Sequence, residues 1–183
     1  MDFDSEGNNP GCVVYAQEVD RASAYIAPFL PTPQEVVDRM LELAEFRQGD
    51  LLYDLGPGDG RIVITAARRY GANAVGFEID PALVTHSCRN IKEAGLEHLA
   101  KIREEDLRSV DRSRASVVTM YLYPGANLGL RAELVRQLKP GSRVVSHDFG
   151  MGDWKPDRVE RLTDSSGFLR TIYLWRIRDR SWR

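Results

Sequence analysis

The sequence predicts an α/β domain: a doubly wound, mostly parallel sheet of seven strands with an antiparallel C-terminal edge strand and helices on both faces. Three observations predict it. Short apolar runs alternate with stretches of helical length and periodicity between residues 51 and 149. A glycine-rich turn joins the first of these runs to the helix after it. The last two apolar runs are separated by a polar turn with no helix between them. Strands that alternate with helices are joined by crossovers and therefore run parallel, and strands buried on both faces read as continuous apolar runs.

Each element has its own justification. Residues 1–24 mix Gly, Asn, Asp and Glu around one apolar patch, Val13 to Ala16, and are expected to form an arm, leaving residues 25–183 as a single domain. Thr32-Pro33-Gln34-Glu35 reads as a helix start, with Thr32 as cap, Pro33 in the first turn and Glu35 completing a capping box. Val36, Val37, Met40, Leu41 and Ala44 give that helix one buried face, and Gly49-Asp50 is expected to end it. Strands are expected at 51–55, 74–78, 99–103, 116–123 and 142–149. Helices fill the gaps: 61–70 closed by Gly71, one capped by Asp80-Pro81 and ended by Gly95, and 127–138. Residues 159–163 and 171–177 flank Asp164-Ser165-Ser166-Gly167 as a hairpin-like return, which supplies the antiparallel edge.

Composition narrows the function classes. With 43% hydrophobic and 28% charged residues, the 183-residue chain is an ordinary globular one. A net charge of −2 does not favour nucleic acid as a partner. The basic tip Arg176, Arg178, Arg180 and Arg183 reads as a solvated tail. No run approaches the ~20 apolar residues of a membrane span. The acidic N-terminus and two widely spaced cysteines, Cys12 and Cys88, point to free thiols in the cytoplasm. No metal-ligand constellation is present in the pattern, and a monomer is expected.

The chemistry concentrates at Asp54-Leu55-Gly56-Pro57-Gly58-Asp59-Gly60-Arg61, between the first strand and its helix. In doubly wound sheets ligands bind at the carboxyl ends of the strands, where glycines allow close backbone approach and a helix presents free N–H groups. The spacing here is G-x-G-x-G, not the G-x-G-x-x-G that cradles a pyrophosphate. Carboxylates at Asp54 and Asp59 would repel a pyrophosphate and attract a ligand carrying an ammonium and a sulfonium. S-adenosylmethionine has both. Glu78, at the end of the second strand, suits the ribose hydroxyls, with Ile79 beside it, and Asp106 suits the adenine amino group. Methyl transfer from a sulfonium is an in-line displacement that asks mainly for alignment and exclusion of water. At the ends of the fourth and fifth strands Tyr121, Tyr123, His147 and Asp148 are the candidates to face an acceptor, one tyrosine of the pair turning into the core if the strand alternates. The fourth strand lacks the Asn/Asp-Pro-Pro-Tyr sequence common in enzymes that methylate amides and adenine amino groups.

The segment 54–64, together with Leu30-Pro31-Thr32-Pro33 and Arg143-Val144-Val145-Ser146-His147-Asp148-Phe149, closely resembles a subset of the Rossmann-like seven-β-strand methyltransferases. The subset comprises the archaeal broad-specificity protein lysine methyltransferases and the mitochondrial lysine methyltransferases of the ATP synthase c subunit and the adenine nucleotide translocase. The resemblance runs from about residue 25 to 177. It implies Gly56, Gly58 and Gly60 along the methionine moiety, Glu78 on the ribose, Asp106 near the adenine, and Thr32 closing over the cofactor. It also implies transfer to a protein lysine, with S-adenosylhomocysteine as product. Methylation of a small molecule on N or O, or a non-catalytic binding role beside another protein, are the alternatives. Two features depart from the subset: Pro57 stands where a small residue such as serine or cysteine is usual, and the arm lacks the membrane-targeting segment of the mitochondrial members.

Overall fold

The computed structural model describes residues 29–179 and the backbone of Cys12–Val13. Strands β1 (Cys12–Val13), β2 (Leu51–Leu55), β3 (Asn73–Glu78), β4 (Ala100–Glu104), β5 (Val117–Met120), β6 (Arg143–His147), β7 (Arg158–Thr163) and β8 (Leu169–Arg176) form one sheet. Their order is β1-β4-β3-β2-β5-β6-β8-β7. Seven of these strands are the seven expected. The eighth, β1, extends the sheet beside β4, in parallel, from within the segment expected to be an arm; the rest of residues 1–24 lies outside the described residues. Strands β6 to β8 pair antiparallel, with β8 inserted between β6 and β7 so that β7 is the edge.

Helices α1 (Gln34–Leu43), α2 (Arg61–Tyr70) and α3 (Pro81–Glu93) cover one face, and α4 (Pro124–Gln137) covers the other. Alternation along the strands feeds both cores. Val117, Val145, Ile172 and Leu174 pack with the first three helices, whereas Val118, Val144 and Trp175 pack with Leu130 and Leu134 of α4. The order reverses at β2, which pairs with β3 on one side and β5 on the other, both in parallel. The turns after β2 and β5 therefore flank a crevice at the carboxyl edge.

Several local expectations give way to tertiary contacts. Thr32 does not cap α1. Pro33 occupies the cap position, and the Glu35 carboxylate accepts the Ser165 N–H at 2.6 Å, far from any capping box. The helix stops at Leu43, well before Gly49, because Glu45 adopts a left-handed conformation (φ 51°) and the Phe46 N–H turns back to the Leu41 carbonyl. Strand β5 ends at Met120, so Leu122 takes the core position and neither tyrosine does. Cys88 is disulfide-bonded, not the free thiol expected; separation along the chain does not decide which sulfurs meet in space. Of the basic tip, Arg176 belongs to β8 and pairs with Glu45 at 2.6 Å, and Arg178 pairs with Asp157 at 2.6 Å. Arg180 and Arg183 lie outside the described residues.

Candidate active site

The glycine loop is built by backbone conformations that side chains resist. Gly56, Gly58 and Gly60 have φ of 82°, 58° and 82°, and Gly60 is the N-terminal cap of α2. Two loop amides are tied to β3: Gly56 donates to the Phe77 carbonyl at 3.1 Å and Gly58 to Glu78 Oε2 at 3.3 Å. The loop forms the floor of a cavity whose walls include Thr32, Asp54, Asp59, Glu78, Ile79, Asp106 and Tyr121. Of the residues predicted for the cofactor, only Gly60 lies behind this surface, with its Cβ position facing Ser87.

Asp54 is almost fully buried at the end of β2. Thr119 donates to its Oδ1 at 2.7 Å, but Oδ2 is buried without a partner. Burial pushes its pKa up to about 7; the Thr119 hydroxyl opposes this, and the nearby Glu78 and Asp59 add to it. A cation beside Oδ2 would favour the charged form and pull the pKa back down. Glu78 is also held above its ordinary pKa by burial, offset by backbone N–H groups of Asp80, Ile79 and Gly58. Its Oε1 accepts from Ile79 at 2.9 Å and from Asp80 at 3.1 Å, which aims the carboxylate along the cavity floor. An amino-acid ammonium at Asp54 and a ribose near Glu78 fit this arrangement, and a pyrophosphate between the two acids does not.

Asp59 plays a different part from the one its charge suggests. Arg61 grips its carboxylate through Nε at 3.0 and 3.1 Å and through Nη2 at 2.6 Å, and the same guanidinium donates from Nη1 to the Thr32 carbonyl at 2.7 Å. Asp59 is thus neutralised, and the charge argument rests on Asp54 and Glu78. Arg61, which the sequence pattern offered only as a helix start, straps the segment before α1 across the loop. Phe29 and Leu30 of that segment roof the cavity. The Phe29 ring lies where a Gly58 side chain would be, 2.2 Å from an ideal Cβ. Asp106 lines the far end, but its carboxylate is forked by Arg108 at 2.6–3.0 Å, and this pairing outweighs burial and lowers its pKa. Neighbouring Leu107 is braced from behind by fully buried Arg112, which donates to its carbonyl and to that of Val110.

The four residues predicted to face an acceptor separate into layers. Tyr121 lines the cavity. Its ring lies 4.0 Å from that of His147 and is stacked with Phe149 at 6.1 Å. Tyr123 is 44% exposed beside Phe149 at the rim. His147 is fully buried behind Tyr121, hydrogen-bonded through Nδ1 to the Thr32 hydroxyl at 3.1 Å. Burial pushes its pKa down to about 4 against the pull of Asp148. Asp148 leaves β6 with φ 58°; its carboxylate accepts the Thr171 N–H at 2.9 Å and lies 3.4 Å from Arg170. Neither His147 nor Asp148 is among the residues that line the cavity. Phe29, Leu107 and Leu122 reach the cavity without having carried any functional signal in the sequence, being apolar, and Leu30 and Arg61 reach it from within quoted motifs that assigned them no role of their own.

Residues 54–158 match the family described as the ANTKMT methyltransferase domain. A protein-lysine N-methyltransferase of Saccharolobus islandicus (strain REY15A) is 44% identical over 149 residues, covering 81% of this chain and 92% of that protein. The lysine N-methyltransferase of the ATP synthase c subunit from Homo sapiens is 36% identical over 132 residues, 72% of this chain but only 56% of its own length. Among solved structures, an RNA methyltransferase from Salinibacter ruber in complex with S-adenosyl-L-homocysteine superposes with a TM-score of 0.77 at 55% identity, covering 82% of this chain and 95% of that one.

Proposed function

The chain belongs to the ANTKMT methyltransferase domain family and is an S-adenosylmethionine-dependent methyltransferase, and from that premise we propose that its acceptor is the ε-amino group of a protein lysine. The observation that carries the reading is the match to a protein-lysine N-methyltransferase across nearly the whole of that protein. The human relative, of which the chain spans just over half, bears the same acceptor in its name.

The site suits the chemistry. The cofactor, when bound, supplies a methyl group on a sulfonium. Asp54 would hold its ammonium, the glycine loop its methionine chain, and Glu78 its ribose. Tyr121 forms the wall where an acceptor nitrogen would approach. A lysine ammonium, with a pKa of about 10.4, must first lose a proton. Neither the buried His147 nor the raised phenol of Tyr121 is a ready base, so in this reading the ammonium sheds its proton to solvent before it enters, and the pocket works by alignment and exclusion of water. Tyr121 and Tyr123 are the acceptor-facing residues in this reading, and the His147 ring backs that of Tyr121.

The name of the Salinibacter structure raises RNA as a second acceptor. A net charge of −2 and a pI near 6.0 leave no bulk attraction for a polyanion. Incubating the protein with methyl-labelled S-adenosylmethionine and a cell lysate, then digesting parallel samples with protease or ribonuclease, separates the readings. Label that protease releases as methyl-lysine is the expected result. Label lost to ribonuclease, or found only in the small-molecule fraction, overturns the lysine assignment.

A further inference from the structure

The cofactor loop is seated on β3 as well as tied to it. Between the amides of Gly56 and Gly58, which bond Phe77 and Glu78, the Pro57 ring lies buried over Gly76. An ideal Cβ at position 76 would stand 2.7 Å from Pro57 Cγ, 2.8 Å from Pro57 Cβ and 2.8 Å from Ile102 Cδ1. Carbon atoms in good contact are ~3.5–4.0 Å apart. The backbone gives no other reason for glycine here, because Gly76 is in the middle of β3 and is not among the residues with positive φ. What the position requires is room. The ring in that room cannot yield by turning a side-chain torsion, since it is closed onto its own backbone.

We infer that Gly76 is a positioning residue for cofactor binding, acting through Pro57. The notch left by its missing side chain seats the proline ring and so holds the loop, in its left-handed turns at Gly56 and Gly58, in the shape that receives the methyl donor. A proline fixed at the centre of such a loop reduces the conformational freedom lost on binding. Pro57 and Gly76 therefore act as one unit. The missing Cβ of Gly76 is what accommodates the Pro57 ring. The inference concerns only the donor side of the pocket and holds whichever acceptor is correct.

The test is calorimetric titration of the full chain with S-adenosylhomocysteine, which needs no acceptor, alongside ligand-free melting temperatures. Gly76→Ala should weaken binding roughly tenfold or more, in line with overpacking of a rigid contact. Adding Ile102→Val, which removes the other close atom, should restore nothing. Adding Pro57→Gly should return affinity to that of Pro57→Gly alone, a coupling expected only of residues in contact. Gly76→Ala binding within about twofold of the parent, or rescue by Ile102→Val and not by Pro57→Gly, would overturn the inference. Pro57→Gly guards against failure of Gly76→Ala to fold, because it adds no atoms. Alone it should weaken binding about three- to tenfold with little change in ligand-free melting temperature. Parental affinity in that variant would equally overturn the inference.

Discussion

Thr32 and His147, 115 positions apart in the chain, meet through a 3.1 Å hydrogen bond between Oγ1 and Nδ1, with both side chains buried. The bond ties the segment that roofs the glycine-loop cavity to the end of β6. With the Arg61 clasp on the Thr32 carbonyl, it fixes that roof at two points.

Thr32→Val keeps the shape and removes the hydroxyl, leaving a buried ring nitrogen unpaired. The expected loss is about 1–3 kcal/mol of stability. Weaker binding of S-adenosylhomocysteine should accompany it. Thermal melting and calorimetry check both effects, and Thr32→Ser should retain most of each.

His147 makes stability depend on pH in a defined direction. Its folded pKa of about 4 lies below the ordinary 6.5, so between these values the unfolded chain binds a proton that the folded chain refuses. The contribution to stability is complete above pH 6.5 and is lost as pH falls toward 4. His147→Asn, whatever its overall stability, should remove this part of the slope. Denaturant unfolding of both proteins across that range measures it.

Asp54 acts in the opposite sense. Its pKa rises from 3.8 to about 7 on folding, so stability is greatest below pH 3.8 and declines as pH rises through 7. Ligand-free Asp54→Asn should therefore melt above the parent at pH 8 and lose that advantage in acid. The same variant should bind S-adenosylmethionine ten- to a hundredfold more weakly, corresponding to roughly 1.5–3 kcal/mol for a hydrogen bond to a charged group. Parental affinity for the donor tightens as pH rises through 7. Titrations at pH 6 and 8 test that dependence.

Gly58→Ala asks a side chain to adopt a φ of 58° and drives its Cβ to 2.2 Å from the Phe29 ring. Affinity for S-adenosylhomocysteine should fall by roughly tenfold or more, the scale of a strained backbone position. Phe29→Ala in the same chain should recover only part of it, because the backbone strain remains. Calorimetry on the two variants separates steric from conformational cost.

Much of the cavity lining was legible because its signals are local. Asp54, the glycines and Glu78 stand at the ends of two adjacent strands, where any strand–turn–helix reading puts them, and they do line one cavity, Gly60 alone lying behind it. The acceptor side was harder to read. Extending β5 to residue 123 turned one tyrosine into the core, whereas the strand ends at Met120 and leaves that place to Leu122. His147 was expected to face an acceptor, and it is buried behind Tyr121 with its pKa pushed down. Arg61 looked like the start of a helix and proved to be the clasp on Asp59 and Thr32.

By itself the sequence determined the fold class, the position of the glycine loop and the end of β3 that carries Glu78, because apolar periodicity, glycine spacing and helix stops all act over a few neighbouring residues. Tertiary structure alone decided that Thr32 answers His147, that Arg61 neutralises Asp59 and that Gly76 seats Pro57. Those pairings depend on strand order and register. The chain settles both only when distant apolar faces are buried together, and no local pattern records which side chains then come within bonding distance.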